Sequence, residues 1–375
     1  MDKAHPLSSL MIVRSLDINK DPYRPLENEG ELVGAEIPYL SAIGALTYLA
    51  NNSRPDIAFS VCLLASNNND QVEGQVSYGF YDKVCPQVEN IVRDGVQSMS
   101  LTDPTTPSAL LRLMFHDCQV QGCDGSILVD LESNSYYKSE MRSSRNLGIR
   151  KREVVNLLKS VVEAQCPQQV SCADILILAA REAISVSGGP RIDVPLGRRD
   201  SSNPPNSSLA DSSLPPSNLG VNDMLQLFAQ KGLSLEESVA INGAHTLGIT
   251  HCLSIESRLY DESKNDEPNE HEFELYLKLS CPKGSLTSNV SFVLNEPTTL
   301  TFDNHYFINA INGRGVLRID AEIPFHPLTA PYVQRFAADQ DAFFKAFSSA
   351  FVKLSTYGVR TGSQGMIRRH CNALS

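Results

Sequence analysis

Beyond about residue 85, apolar side chains recur at every third or fourth position, the spacing of one helix face, and alternating runs are few and short. Pro86 is placed to open a helix with Val88, Ile91, Val92, Val96 and Met99 along one side, since a proline in the first turn costs no hydrogen bond. Pro107 opens another, which runs through Arg112 and His116. Residues 173–187 form a strongly apolar helix stopped by Gly188-Gly189-Pro190. Ser234 and Glu237 make a capping-box pattern ahead of residues 239–243, and one long helical pattern covers 333–357 before Gly358. Strand signals are limited to the surroundings of Val194 and Leu317. The expected fold is mostly α with few short strands.

The chain has 375 residues, enough for one large or two medium domains with a real core. Hydrophobic content of 42% and charged content of 20% are those of a globular protein. The net charge of −11 argues against nucleic acid and against an anionic membrane surface as partners. Arg150-Lys151-Arg152 and Arg368-Arg369 read as solvated faces, and no apolar run approaches the roughly eighteen residues of a membrane span.

The chemistry concentrates in residues 110–126. Arg112 and His116 are four apart and share a helix face. A near-neutral imidazole can take and return a proton, while a permanently charged guanidinium stabilises negative charge on a departing oxygen; cleavage of the O–O bond of hydrogen peroxide needs both. The plain alternative is a core histidine beside a surface arginine. Asp117, Val120, Gly122, Asp124 and Ser126 follow, offering carboxylates, a hydroxyl and backbone carbonyls, the hard oxygens that calcium takes. Cys118 and Cys123 bracket that loop; half of a zinc site is the rival reading, without a matching second pair. Eight cysteines lie between Cys85 and Cys371, an even set that fits four disulfides formed in an oxidising compartment and leaves about a hundred pairings open.

These residues resemble the secretory plant (class III) haem peroxidases. The resemblance covers about residues 77–375 and rests on motifs in the same order: FYDKVCPQVENIVR (80–93), LLRLMFHDCQVQGCDGSIL, CPQQVSCADIL (166–176), GGPRIDVPLGRRD (188–200), NGAHTLGITHC (242–252), FDNHYF (302–307) and LRIDAEI (317–323). It implies two helical halves with one non-covalent haem b between them, and a monomeric enzyme that reduces hydrogen peroxide while oxidising small, phenolic-type donors. His116, Arg112 and Asn146 match its catalytic residues, His245 its axial ligand, Asp320 the carboxylate behind that ligand, and Pro215 a donor-site residue. It implies two calcium ions. One is held by Asp117, Val120, Gly122, Asp124 and Ser126, with Glu140 reached through water. The other is held by Thr246, Thr298, Thr301 and Asp303, with Asn295 where an aspartate is usual and the site weakened for that reason. The implied pairing is Cys85 with Cys166, Cys118 with Cys123, Cys172 with Cys371, and Cys252 with Cys281, which leaves Cys62 as a free thiol. Asp174 and Arg198 match a buried ion pair. Ile192 stands at the family's usual tryptophan, and Gln119 and Leu247 replace phenylalanines beside the haem.

Disulfides and the sequons at Asn206 and Asn289 fit secretion, yet the apolar run at the N-terminus is too short for a signal peptide. Residues 21–65 resemble a fragment of a copia-type retrotransposon polyprotein without an acidic polymerase motif. The expected organisation is therefore a retroelement-like fragment and linker over 1–72 and a peroxidase domain over 73–375. The competing expectations are a haem- and calcium-binding relic without turnover, or a nonfunctional fusion product.

Overall fold

A computed structural model describes residues 75–131, 138–260, 272–284 and 291–374. The retroelement-like segment, the domain boundary at 72, Cys62 and the sequon at Asn289 lie outside the described residues. Thirteen α-helices and one two-stranded sheet occur among the described residues. The first four long helices are α1 (Val88–Thr102), α2 (Thr106–Gln119), α3 (Arg152–Gln165) and α4 (Cys172–Val186). Helix α4 is buried from Cys172 through Ile184, and α1, α2 and α3 pack against it, which is why its sequence has no polar face.

The chain continues through α5 (Ser207–Ser213), α6 (Val221–Ala229) and α7 (Leu235–Asn242). The capping box starts α7 as expected: Glu237 N–H donates to Ser234 Oγ at 3.2 Å, and Ser234 N–H to Glu237 Oε2 at 2.7 Å. Strand β1 (Ile249–His251) follows, then α8 (Glu256–Tyr260), α9 (Glu272–Ser280) and β2 (Phe292–Leu294), which pairs antiparallel with β1. The last helices are α10 (His305–Ile311), α11 (Arg318–Glu322), α12 (Ala330–Ala338) and α13 (Gln340–Thr356).

Three expectations are corrected. The pattern over 333–357 is two helices, because Asp339 leaves helical geometry (φ −139°) and caps α13 through Ala342 N–H at 3.0 Å. The strands are not at Val194 and Leu317: residues near Val194 are a buried extended segment joined to Ser77 only through a bridge at Leu196, and Leu317 is the N-cap of α11. A short apolar run carries no periodicity long enough to separate a strand from a buried loop. Arg368 is not solvated. It is 1% exposed, donates to the Gly125 carbonyl at 2.6 Å and faces Asp200 at 3.8 Å.

One continuous core joins the helices around α4 to those around α13. In the second group, Phe302 stacks on Phe343 at 5.6 Å and meets Phe347 edge-on at 4.8 Å, while Phe307 covers Phe343 and Phe336. Ile192 is buried in this core. Asp174 and Arg198 pair at 2.8 Å with neither side chain exposed, and Tyr81 adds a 2.7 Å hydrogen bond to Asp174, so the two charges offset each other where burial of either alone would be costly. Cys85–Cys166, Cys118–Cys123, Cys172–Cys371 and Cys252–Cys281 are the disulfides, the pairing that the resemblance implies. The third ties the first turn of α4 to the C-terminal segment across 199 positions.

Candidate active site

Helix α2 is anchored by Leu110, Leu113 and Met114, all at most 1% exposed, and this fixes the opposite face that bears Arg112 and His116. The two side chains touch: Arg112 Nε donates to His116 Nε2 at 3.2 Å. On the other edge of the ring, His116 Nδ1 lies 2.7 Å from Asn146 Oδ1. The Asn146 amide donates through Nδ2 to the Glu140 carbonyl at 2.8 Å, which leaves its oxygen to face the ring and sets the tautomer. Nδ1 therefore carries the proton and Nε2 the free pair. Burial, with Arg112 beside it, lowers the His116 pKa to about 3 against the opposing pull of Asn146. The loop that carries Asn146 is clipped to α5 by Ser143 donating to Asp211 at 2.5 Å and by Arg145 donating to the Leu214 carbonyl. Pro215 follows directly, so the candidate donor residue adjoins the support of Asn146 and His116. Gln119, at the end of α2, is buried with neither amide atom bonded, and Leu247 is buried as well.

His245 sits in a 3-10 turn (Gly243–Thr246) that directly follows α7. Its Nδ1 donates to Asp320 Oδ1 at 2.9 Å. Asp320 also accepts Tyr306 O–H on Oδ1 at 2.9 Å and Leu317 N–H on Oδ2 at 2.9 Å. Gly315 is required beside it, since a Cβ there would lie 2.3 Å from the Asp320 carbonyl carbon. Burial would lower the His245 pKa, but the Asp320 carboxylate outweighs it and holds the imidazole above its ordinary value. With Nδ1 held, Nε2 is the free nitrogen of a side chain that keeps 37% of its surface exposed. The segments that carry His116 (the distal side) and His245 (the proximal side) meet at two tight points. A Cβ on Gly148 would lie 2.8 Å from His251 Nε2 and 3.3 Å from Arg112 Nη1, and one on Gly248 would lie 3.1 Å from Ser108 Cβ of α2. His251 and Arg112 thus flank Gly148.

The distal loop gathers Asp117, Asp124, Ser126 and Glu140, all buried. Asp117 Oδ2 accepts Gly125 N–H at 2.9 Å, and Asp124 Oδ1 accepts Ser126 N–H at 3.1 Å. Burial and the neighbouring carboxylates push the Asp117 pKa up; burial raises that of Glu140 to about 7, and its Oε2 has no partner. The structure does not bring all of the second set together. Asn295 points away from it: Nδ2 donates to the carbonyls of His245 and Leu247, each at 3.0 Å, and Oδ1 accepts from Thr250 at 2.7 Å. Glu296, the next residue, turns toward Thr246 and Thr298 instead. It is 5% exposed, accepts from the Thr246 hydroxyl and, at 3.1 Å, from Thr298, while Thr246 also reaches Asp303 Oδ1 at 3.0 Å. Thr301 is exposed, and its N–H donates to the Thr298 carbonyl at 2.7 Å. The set that the resemblance implies has Asn295 at this step of the motif, and the adjacent acid at 296 was the signal in the sequence for the carboxylate found here. No three His, Cys, Asp or Glu side chains among the described residues converge as one metal shell. Each set instead combines carboxylates with hydroxyls, which suits a hard cation whose shell is completed by carbonyls and water.

A family model described as Peroxidase matches residues 89–339. The chain is 51% identical to Peroxidase 29 of Arabidopsis thaliana over 314 residues, 83% of this chain and 92% of that one. It is 39% identical to Peroxidase 72 of the same plant over 327 residues, 85% and 95% of the two chains, and 36% identical to Peroxidase 63 over 321 residues, 85% and 96%. Because the motifs, the four disulfides, the helical fold and these relatives agree, the chain belongs to the class III plant peroxidases, haem enzymes that use hydrogen peroxide to oxidise a donor.

Proposed function

We propose that this chain oxidises small phenolic-type donors by one-electron steps, with His116 as acid and base, Arg112 as charge stabiliser, Asn146 as the residue that orients His116, and His245 as the axial ligand of a single haem b. The observation that carries the reading is the hydrogen-bond relay from the Glu140 carbonyl through Asn146 to a His116 whose Nε2 is unprotonated. The donor set fits haem: a part-exposed imidazole with its Nδ1 already spent, and a base and a guanidinium on the adjoining element. When bound, the haem would supply the two electrons that reduce peroxide and would be restored by two one-electron donations from the donor. His116 Nε2 takes the proton from one peroxide oxygen and delivers it to the other, and the tautomer set by Asn146 keeps that nitrogen available. Arg112 turns from Nε2 toward the oxygen that departs and offsets its charge. Asp320 holds the His245 Nδ1 proton and makes the opposite nitrogen more electron-rich.

Calcium is expected at two places, the distal loop and the Thr246, Glu296, Thr298 and Asp303 cluster, with Thr301 contributing its carbonyl. The four disulfides support an extracellular enzyme, and residues 73–375 as one monomeric catalytic domain form part of the same proposal. The test is stopped-flow of the haem-loaded chain with one equivalent of peroxide, following the Soret band. The wild type should react rapidly and recover on adding a phenol, and His116→Ala should slow the first step by about 10²–10⁴-fold. A His116→Ala rate equal to wild type would remove the base assignment.

A further inference from the structure

Asp320 Oδ1 receives two donors, His245 Nδ1 and the Tyr306 hydroxyl, each at 2.9 Å. Tyr306 is 6% exposed, and its ring stands edge-on to the His245 imidazole at 5.8 Å and 79°. The same ring meets Phe307 edge-on at 4.9 Å, so ring packing on both His245 and Phe307 accompanies the hydroxyl's bond to Asp320. A carboxylate oxygen that already accepts one strong donor is a poorer base toward a second, because each bond withdraws charge from the same lone pairs. We propose that Tyr306 is a positioning residue that limits how far Asp320 draws the Nδ1 proton of His245, and so sets the electron richness of Nε2. The inference rests on His245 as the axial ligand. In this arrangement the phenol acts as a brake on the His245–Asp320 pair, and phenylalanine at 306 would keep the ring while removing the brake.

The test measures the ferric–ferrous midpoint potential of the holoenzyme and the iron–histidine stretch of its ferrous form. Tyr306→Phe should shift the equilibrium toward ferric by about threefold to tenfold, the latter about 59 mV for one electron, and raise the stretching frequency. Asp320→Asn should move both readouts the opposite way, and in that background Tyr306→Phe should add nothing. An unchanged potential in Tyr306→Phe, while Asp320→Asn still shifts it, overturns the tyrosine's role and leaves the axial ligand standing. The same tyrosine effect in the Asp320→Asn background would mark it as packing, which also overturns the proposal. If neither substitution moves either readout, the axial-ligand reading falls with it. Should Tyr306→Phe fail to fold, 3-fluorotyrosine placed at 306 keeps the ring and strengthens the donor, and the potential should rise.

Discussion

Replacing Glu296 with glutamine separates the two accounts of the second calcium site, because the sign of its effect depends on calcium. Without the cation, burial raises the Glu296 pKa from 4.5 to about 7, with Asp303 adding to the rise against the hydroxyl bonds. At ~1.4 kcal/mol per pH unit, an ionised Glu296 costs the calcium-free fold about 1–3 kcal/mol once solvent screening is allowed for. The sign follows from linkage: an acid whose pKa is raised by folding weakens the fold as pH climbs from 4.5 past 7. In chelator at pH 8, Glu296→Gln should therefore melt about 2–6 °C above wild type, and the gain should vanish near pH 5. In saturating calcium the order reverses, since a cation at about a thousand times its Kd contributes about 4.1 kcal/mol that the variant forfeits. Metal analysis of the desalted proteins should show one calcium fewer per chain in Glu296→Gln. Asn295→Asp is the matching control. It deletes the two donors to the His245 and Leu247 carbonyls, so it should cost about 1–3 kcal/mol and bind calcium no more tightly. Full calcium retention by Glu296→Gln, or tighter calcium binding by Asn295→Asp, would refute the placement of Glu296.

Two further outcomes test the scaffold. Glu237 accepts Ser349 at 2.6 Å and Lys353 at 2.8 Å, joining α7 to α13; burial opposes ionisation, but these bonds and Ser234 bring its pKa down to about 2. A depressed acid stabilises above its unfolded pKa and loses that contribution as pH falls, so Glu237→Gln should cost about 1–2 kcal/mol at pH 7, discounted for the half-exposed Lys353, and nothing near pH 2 by urea titration. Phe347→Ala empties a fully buried site against Phe302 and Phe343 and should lower stability by about 3–5 kcal/mol, read as a lower urea midpoint.

Most of the helices, and the side chains proposed to react, were legible in the sequence. A 3.6-residue period with a proline at one end and a glycine pair at the other is local information, and it placed α1, α2, α4 and the capping box of α7 within a residue or two. Arg112 and His116 were legible together because four positions along a helix is one turn. Their partners were not legible in that way. Asn146 lies 30 residues from His116, and Asp320 75 from His245; only resemblance to a known family connected them, since nothing local distinguishes such residues from surface ones. The tertiary structure alone decided what depends on the direction of a side chain. It turned Asn295 toward the backbone and Glu296 into the Thr246 and Asp303 cluster, a choice between neighbours that motif alignment cannot make. It buried Arg368 against Asp200 where a basic pair suggested solvent, and it set Tyr306 on the same oxygen that His245 uses. Periodicity reports which face of an element is buried; which lone pair is shared, and by whom, is fixed only when distant segments pack.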